Sequence, residues 1–136
     1  MNVYIDASVI LRVILGEPNP LPEWGSLAPM SSELVRVECL RVIDRAKLQL
    51  RVPDEQSAGH RAQALSALAT FRLVGLSPWI LDRASNPFPT ALGTLDAIHL
   101  ATALELRDEV SDLALATHDR ELAIAAQAVG FAVLGA

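Results

Sequence analysis

Val3-Tyr4-Ile5-Asp6-Ala7-Ser8-Val9-Ile10-Leu11-Arg12-Val13-Ile14-Leu15 decides the fold of this chain. Val3, Tyr4 and Ile5 ending on Asp6 read as a short strand over 2–6. The apolar run that follows reads as a helix over 8–15, closed by Gly16 with Pro18 beyond it. A strand that passes straight into a helix, with one acid at the junction, is the building unit of a parallel α/β sheet.

The pattern repeats along the chain. Leu113-Ala114-Leu115-Ala116-Thr117-His118-Asp119 is a second apolar stretch that stops on an acid, and it predicts a strand over 112–117 and a helix over 119–129. Between these two units, Pro18, Pro20 and Pro22 make a rigid loop, and a short strand is expected near 27–31. Ser31 or Ser32 caps a helix to about 48, with Leu34, Val37, Glu38, Leu40 and Arg41 at helical spacing. Pro53 and Asp54 open a helical stretch to about 71. A strand over 72–77 and a short helix over 78–84 follow, then a loop from Asn86 to Pro89. Thr94 caps a helix over 95–107, Gly130 ends the 119–129 helix, and 131–135 is a last strand. The expected architecture is a three-layer α/β/α sandwich around a mostly parallel sheet. It is a single domain over 1–136, with no internal repeat or linker.

This architecture locates a site. Open α/β sheets bind ligands beyond the carboxyl ends of their strands, where Asp6 and Asp119 fall. Asp96 lies in the first turn of its helix, where the helix dipole favours negative charge. Glu38, about two turns into its helix, projects sideways toward the same cleft. Carboxylates beside a core cost several kcal/mol unless paired or bound to a cation. Four of them converge only where something positive holds them. Oxygen ligands suit hard ions such as Mg²⁺ or Mn²⁺, and no Cys/His ligand pattern points to structural zinc. Two such ions in one cleft hydrolyse phosphodiesters.

The neighbouring polar residues carry alternatives. Ser8 either orients the Asp6 carboxylate or a bound water, or caps the helix that follows. His99, three residues after Asp96 on nearly the same face, either touches metal or phosphate or moves a proton, or is a partly buried histidine that orients Asp96. Arg41 either pairs with Glu38 or contacts phosphate. Glu33 reads as a solvated or capping residue, Asp82, Asp112 and Glu121 as surface charges, and His118 as exposed.

Composition narrows the class. The 16 acidic and 11 basic residues leave a net charge of −5, which argues against a polyanionic partner until bound divalent ions are counted, each removing two negative charges. Arg36, Arg41, Arg45, Lys47 and Arg51 run together, followed by Arg61, Arg72 and Arg83. They form either a solvated face or a stripe that contacts phosphates. Cys39 is the one cysteine and reads as a buried thiol. A chain that needs no disulfide fits a reducing cytoplasm. Asp6 and Arg12 interrupt the apolar beginning, so no signal peptide is expected, and no run is long enough to span a membrane. The 51% apolar content is high. The helix over 8–15, apolar almost all round, is either buried or faces a second protein, and the Ala/Leu-rich stretch 58–71 shares that choice.

Taken in order, the motifs resemble those of PIN domains. They are Tyr4-Ile5-Asp6-Ala7-Ser8 before an apolar helix; Ser32, Glu38 and Arg41; Leu95-Asp96-Ala97-Ile98-His99-Leu100-Ala101; and Ala116-Thr117-His118-Asp119. The resemblance covers essentially the whole chain and is strongest to VapC-type toxins of bacterial toxin–antitoxin pairs. It implies a PIN-like fold and a metal-dependent endoribonuclease. Asp6, Glu38, Asp96 and Asp119 would bind Mg²⁺ or Mn²⁺, Asp119 being tied less closely than the others. Ser8 and Thr117 would match the family's hydroxyl positions. The resemblance also implies an RNA substrate, a cognate antitoxin that blocks the cleft, and a homodimer. Two other readings stand beside it. One is a degenerate PIN-like module that binds RNA or protein without cleaving. The other is a phosphotransferase of the haloacid dehalogenase type with Asp6 as nucleophile. That type usually carries a second acid two residues on, where this chain has Ser8.

Overall fold

Strand β1 (Asn2–Ile5) alternates its side chains between two cores, and this alternation sets the layers. The computed structural model describes residues 1–22 and 24–136. Val3 and Ile5 point into one apolar cluster and Tyr4 into the other. Helix α1 (Ala7–Ile14) follows β1 directly. Then come β2 (Ala28–Ser32), α2 (Leu34–Gln49), α3 (Asp54–Leu68), β3 (Arg72–Val74) and α4 (Pro78–Ala84). Helix α5 (Thr94–Glu109), β4 (Ala114–Ala116), α6 (Arg120–Ala128) and β5 (Val133–Leu134) complete the fold.

The five strands lie in the order β3-β2-β1-β4-β5 and every neighbouring pair is parallel. Helices α1, α2 and α3 pack together over one face, where Val9, Ile10, Val35, Cys39 and Leu68 close on Val3 and Ile5. On the other face Leu100, Leu106, Leu122 and Ala126 close on Tyr4 and Leu115, with α4 lying against α5. The sandwich expected from the pattern is the one observed. Because both sheet faces are covered, Val3–Ile5 of β1 and Ala114–Ala116 of β4 are continuous apolar runs, while β2 ends on the buried Ser31 and Ser32.

Several boundaries differ from the sequence reading, each for a local reason. Helix α3 stops at Leu68 instead of 71, because the following turn carries Phe71 back onto the first core. Strand β3 ends at Val74 because Ser77 accepts a bond from the Ile80 amide and starts α4, with Pro78 at its first position. Gly93, not Thr94, holds the cap position of α5; α2 begins after Glu33, and the side chain that receives its first amide is Ser32, whose Oγ accepts from Leu34 at 3.1 Å. Glu38 is therefore little more than one turn into α2. Gly16 and Gly130 adopt φ of +67° and +97°, as helix-ending glycines do.

Apolar surface also lies outside the two segments singled out in the sequence. Helix α1 is neither wholly buried nor open: Ala7, Val9, Ile10 and Ile14 are buried while Leu11, Val13 and Leu15 are half-covered. Large exposed apolar side chains sit on and just after α2 (Val37, Leu48, Leu50), beside and on α4 (Leu76, Trp79, Leu81), at the start of α5 (Leu95), on α6 (Ile124) and at Met1. No described helix is long and apolar enough to cross a membrane.

Candidate active site

The register of β1 against β4 builds the site's first half. Ile5 pairs with Ala116, so Asp6 and Thr117 leave the sheet side by side. Asp6 is buried and caps α1, its Oδ1 accepting from the Val9 amide at 3.4 Å and from Ser8 Oγ at 2.6 Å. Its Oδ2 accepts from Thr117 Oγ1 at 2.6 Å. Both hydroxyls accept in turn, Ser8 from the His118 amide at 2.9 Å and Thr117 from the Asp119 amide at 2.9 Å. Of the two roles open to Ser8, the structure shows it donating to Asp6, while the cap of α1 is Asp6 itself. His118 is half-buried, with its Nδ1 on the Gly135 carbonyl.

Asp119 caps α6, accepting from the Glu121 and Leu122 amides through Oδ1 at 2.8 and 3.2 Å. Asp96, in the first turn of α5, is half-buried with no hydrogen bond among the described contacts. Glu38 reaches across the strand ends from the α2 layer to the α5 layer, where Oε1 is hydrogen-bonded to His99 Nε2. His99 thus contacts Glu38 rather than orienting Asp96. Its Nδ1 meets the Tyr4 hydroxyl at 2.6 Å. Arg41 is exposed and forms no ion pair with Glu38.

Electrostatics links the acids. Burial pushes the Asp6 carboxyl above the usual range, against the pull of Ser8, Thr117, His99 and the Val9 amide. The Asp96 carboxyl is pushed up to about 6, first by burial and then by Asp119 and Asp6, with His99 opposing and Glu38 adding to the rise. Glu38 and Asp6 also reinforce the burial that pushes the Cys39 thiol up to about 12. Among the described residues no Lys or Arg forms an ion pair with any of the four acids. No three His, Cys, Asp or Glu side chains there already stand as a metal cage. Like charges close enough to raise one another's pKa, all with oxygen donors, fit a hard divalent cation. Asp6, Glu38, Asp96 and Asp119 are the groups that could hold it.

One measurable consequence follows for the metal-free protein. Asp96 has a folded-state pKa near 6 against an ordinary 3.8, so its contribution to stability is complete below about pH 4 and disappears as pH rises through 6. Metal-free protein should melt at a higher temperature at pH 5 than at pH 7, and Asp96→Asn should flatten that slope. Allowing for solvent screening at this half-exposed group, the effect is on the order of 1 kcal/mol. Calorimetric melting at the two pH values checks it.

Sequence reasoning passed over Tyr4. Its signal was parity: it lies two residues before Asp6 on the sheet face opposite Ile5, with a polar tip in an otherwise apolar strand.

A PIN domain model matches residues 3–128. The chain is 33% identical to Ribonuclease VapC46 of Mycobacterium tuberculosis (strain ATCC 25618 / H37Rv), over 97% of this chain and 95% of that protein. It is 28% identical to Ribonuclease VapC47 of Mycobacterium tuberculosis (strain CDC 1551 / Oshkosh), over 95% and 93%. Among solved structures, PAE2754 from Pyrobaculum aerophilum superposes with a TM-score of 0.63 at 20% identity, over 98% of this chain and 83% of that one. A chain of a toxin–antitoxin complex from Klebsiella pneumoniae superposes with a TM-score of 0.56 at 22% identity, over 89% and 90%. These two structural likenesses concern the fold.

Proposed function

Because this chain belongs to the PIN-domain family, as a ribonuclease of the VapC type, we propose that it is the toxin of a toxin–antitoxin pair and hydrolyses RNA with Mg²⁺ or Mn²⁺ in its acidic cleft. The observation that carries the metal part of this reading is the repulsion on Asp96 from three other acids, to none of which any Lys or Arg among the described residues is paired. In this reading Asp6, Glu38 and Asp96 hold the ion, and Asp119 holds or positions a second ion or a water. A divalent ion bound there supplies an activated water and neutralises charge developing on the scissile phosphate. The chain's own part is orientation. Ser8 and Thr117 fix both oxygens of Asp6, and the α6 amides fix Oδ1 of Asp119. The exposed arginines of α2, Arg36, Arg41 and Arg45, offer counter-charge to the RNA backbone.

Family membership removes the phosphotransferase alternative. The non-cleaving module makes a different prediction, which a titration separates. Metal-stripped protein should bind Mn²⁺ saturably in a calorimeter, and chelation by EDTA should abolish cleavage of a fluorogenic RNA until Mg²⁺ or Mn²⁺ is restored. Unchanged cleavage in EDTA would remove the metal mechanism, and absence of Mn²⁺ binding would favour the non-cleaving module. A cognate antitoxin and a homodimer complete the proposal, with Trp79 (76% exposed), Leu81 and Leu95 as apolar surface for such contacts.

A further inference from the structure

Behind Glu38 lies a buried chain of hydrogen bonds that the proposed reaction does not use directly. It starts at β2, where the Ser32 amide donates to the Tyr4 hydroxyl oxygen at 3.2 Å. The hydroxyl proton is then free for His99 Nδ1, 2.6 Å away. The two hydroxyls nearest Tyr4 do not compete as donors, since Ser31 donates to the Ile5 carbonyl and Thr102 to the Ile98 carbonyl. With Nδ1 accepting, the imidazole carries its proton on Nε2, and Nε2 is the atom that meets Glu38 Oε1. Tyr4 is fully buried and His99 only 1% exposed, edge-on to each other with ring centroids 5.7 Å apart. Their positions are therefore set by core packing, while Glu38 stands at the solvent side of the same chain.

We propose that Tyr4 and His99 are positioning residues for Glu38. The Tyr4 hydroxyl holds His99 in the Nε2–H tautomer, and that N–H anchors one oxygen of Glu38 so that the other is presented to the cleft. The relay is the link between the α2 and α5 layers at the strand ends, where the two halves of the site must keep register. It rests on the reading of Glu38 as a metal ligand. Outer hydrogen bonds of this kind tune how tightly a carboxylate holds its ion. Without the Tyr4 donor, His99 is free to place its proton on Nδ1 and turn a lone pair on Nε2 toward the carboxylate.

The test combines two readouts on intact protein. Imidazole ¹⁵N shifts of wild-type protein should show His99 protonated at Nε2 and bare at Nδ1, and Tyr4→Phe should lose that preference. Mn²⁺ titration in a calorimeter should show affinity reduced about 10- to 100-fold in His99→Leu. His99→Gln, whose amide can donate from the place of Nε2, should recover most of it. A wild-type Nδ1–H tautomer, an unchanged Mn²⁺ affinity in His99→Leu, or a His99→Gln no better than His99→Leu would each overturn the relay. Failure of the underlying metal reading looks different, because wild-type protein itself would then bind no Mn²⁺. The ¹⁵N measurement needs no variant, so a His99→Leu protein that fails to fold leaves the relay open to refutation.

Discussion

Asp6→Asn loses RNA cleavage by about three orders of magnitude or more, and Asp96→Asn does the same, while both proteins stay folded. A group whose charge stabilises the reacting phosphate or its ion is worth at least two to three orders of magnitude in rate. The amide removes charge from Asp6 with little change of shape. Asparagine is as good a helix cap as aspartate, so Oδ1 keeps the Val9 and Ser8 bonds, and the new amide group can donate to Thr117. Burial disfavours the ionised form of both acids, so each variant should melt at or above the wild-type temperature in the absence of metal. Cleavage of a fluorogenic RNA and a melting curve on the same sample check both halves. An Asp6→Asn protein that cleaves at the wild-type rate would end the carboxylate mechanism.

Thr117→Val carries the largest expected loss of stability. Valine has nearly the same shape, so packing at this fully buried position is kept and two hydrogen bonds are lost together. Asp6 Oδ2 loses its donor at 2.6 Å and the Asp119 amide loses its acceptor at 2.9 Å. A buried charged group deprived of a donor costs about 1.5–3 kcal/mol and an orphaned amide about 1–3. Since water can reach the Asp119 side, the expected sum is about 3 kcal/mol. Urea unfolding should show that difference, and Thr117→Ser should recover most of it. A Thr117→Val protein within about 0.5 kcal/mol of wild type, the range of an ordinary surface substitution, would refute the role given to this hydroxyl. Cleavage should also fall, because this hydroxyl joins the Asp119 amide directly to Asp6, leaving only the Ser8 bridge from the His118 amide to tie the β4–α6 junction to that carboxylate.

How much of this was readable in the chain depends on the range of the interaction concerned. Asp6 and Asp119 were legible because an apolar run that stops on an acid and opens a helix marks a strand's carboxyl end by itself. The alternation of strands with helices along the chain likewise foretold a sheet covered on both faces. Thr94 was expected as a cap where Gly93 holds the position, whereas of Ser31 and Ser32 it is Ser32 that accepts the first α2 amide, with Glu33 between it and the helix. Boundary signals of this kind compete within a residue or two, and tertiary packing decides among them. The choice the sequence left open for α1, buried or facing a second protein, was undecidable there for a related reason. A helix apolar all round looks the same in sequence whether neighbours cover it or not, and here α2 and α3 cover most of it.

The chain's own pattern determined the α/β class, the parallel sheet and the identity of four acids at or near strand ends, since periodicity and junction chemistry are properties of short segments. Only the tertiary structure decided what those acids touch. Ser8 turns to Asp6 while receiving the His118 amide, and His99 turns to Tyr4 and Glu38 instead of Asp96. These choices depend on β1 lying between β2 and β4, which brings together residues about a hundred positions apart. A hydrogen bond requires both partners at about 3 Å in the right direction, and no local signal in a sequence specifies that.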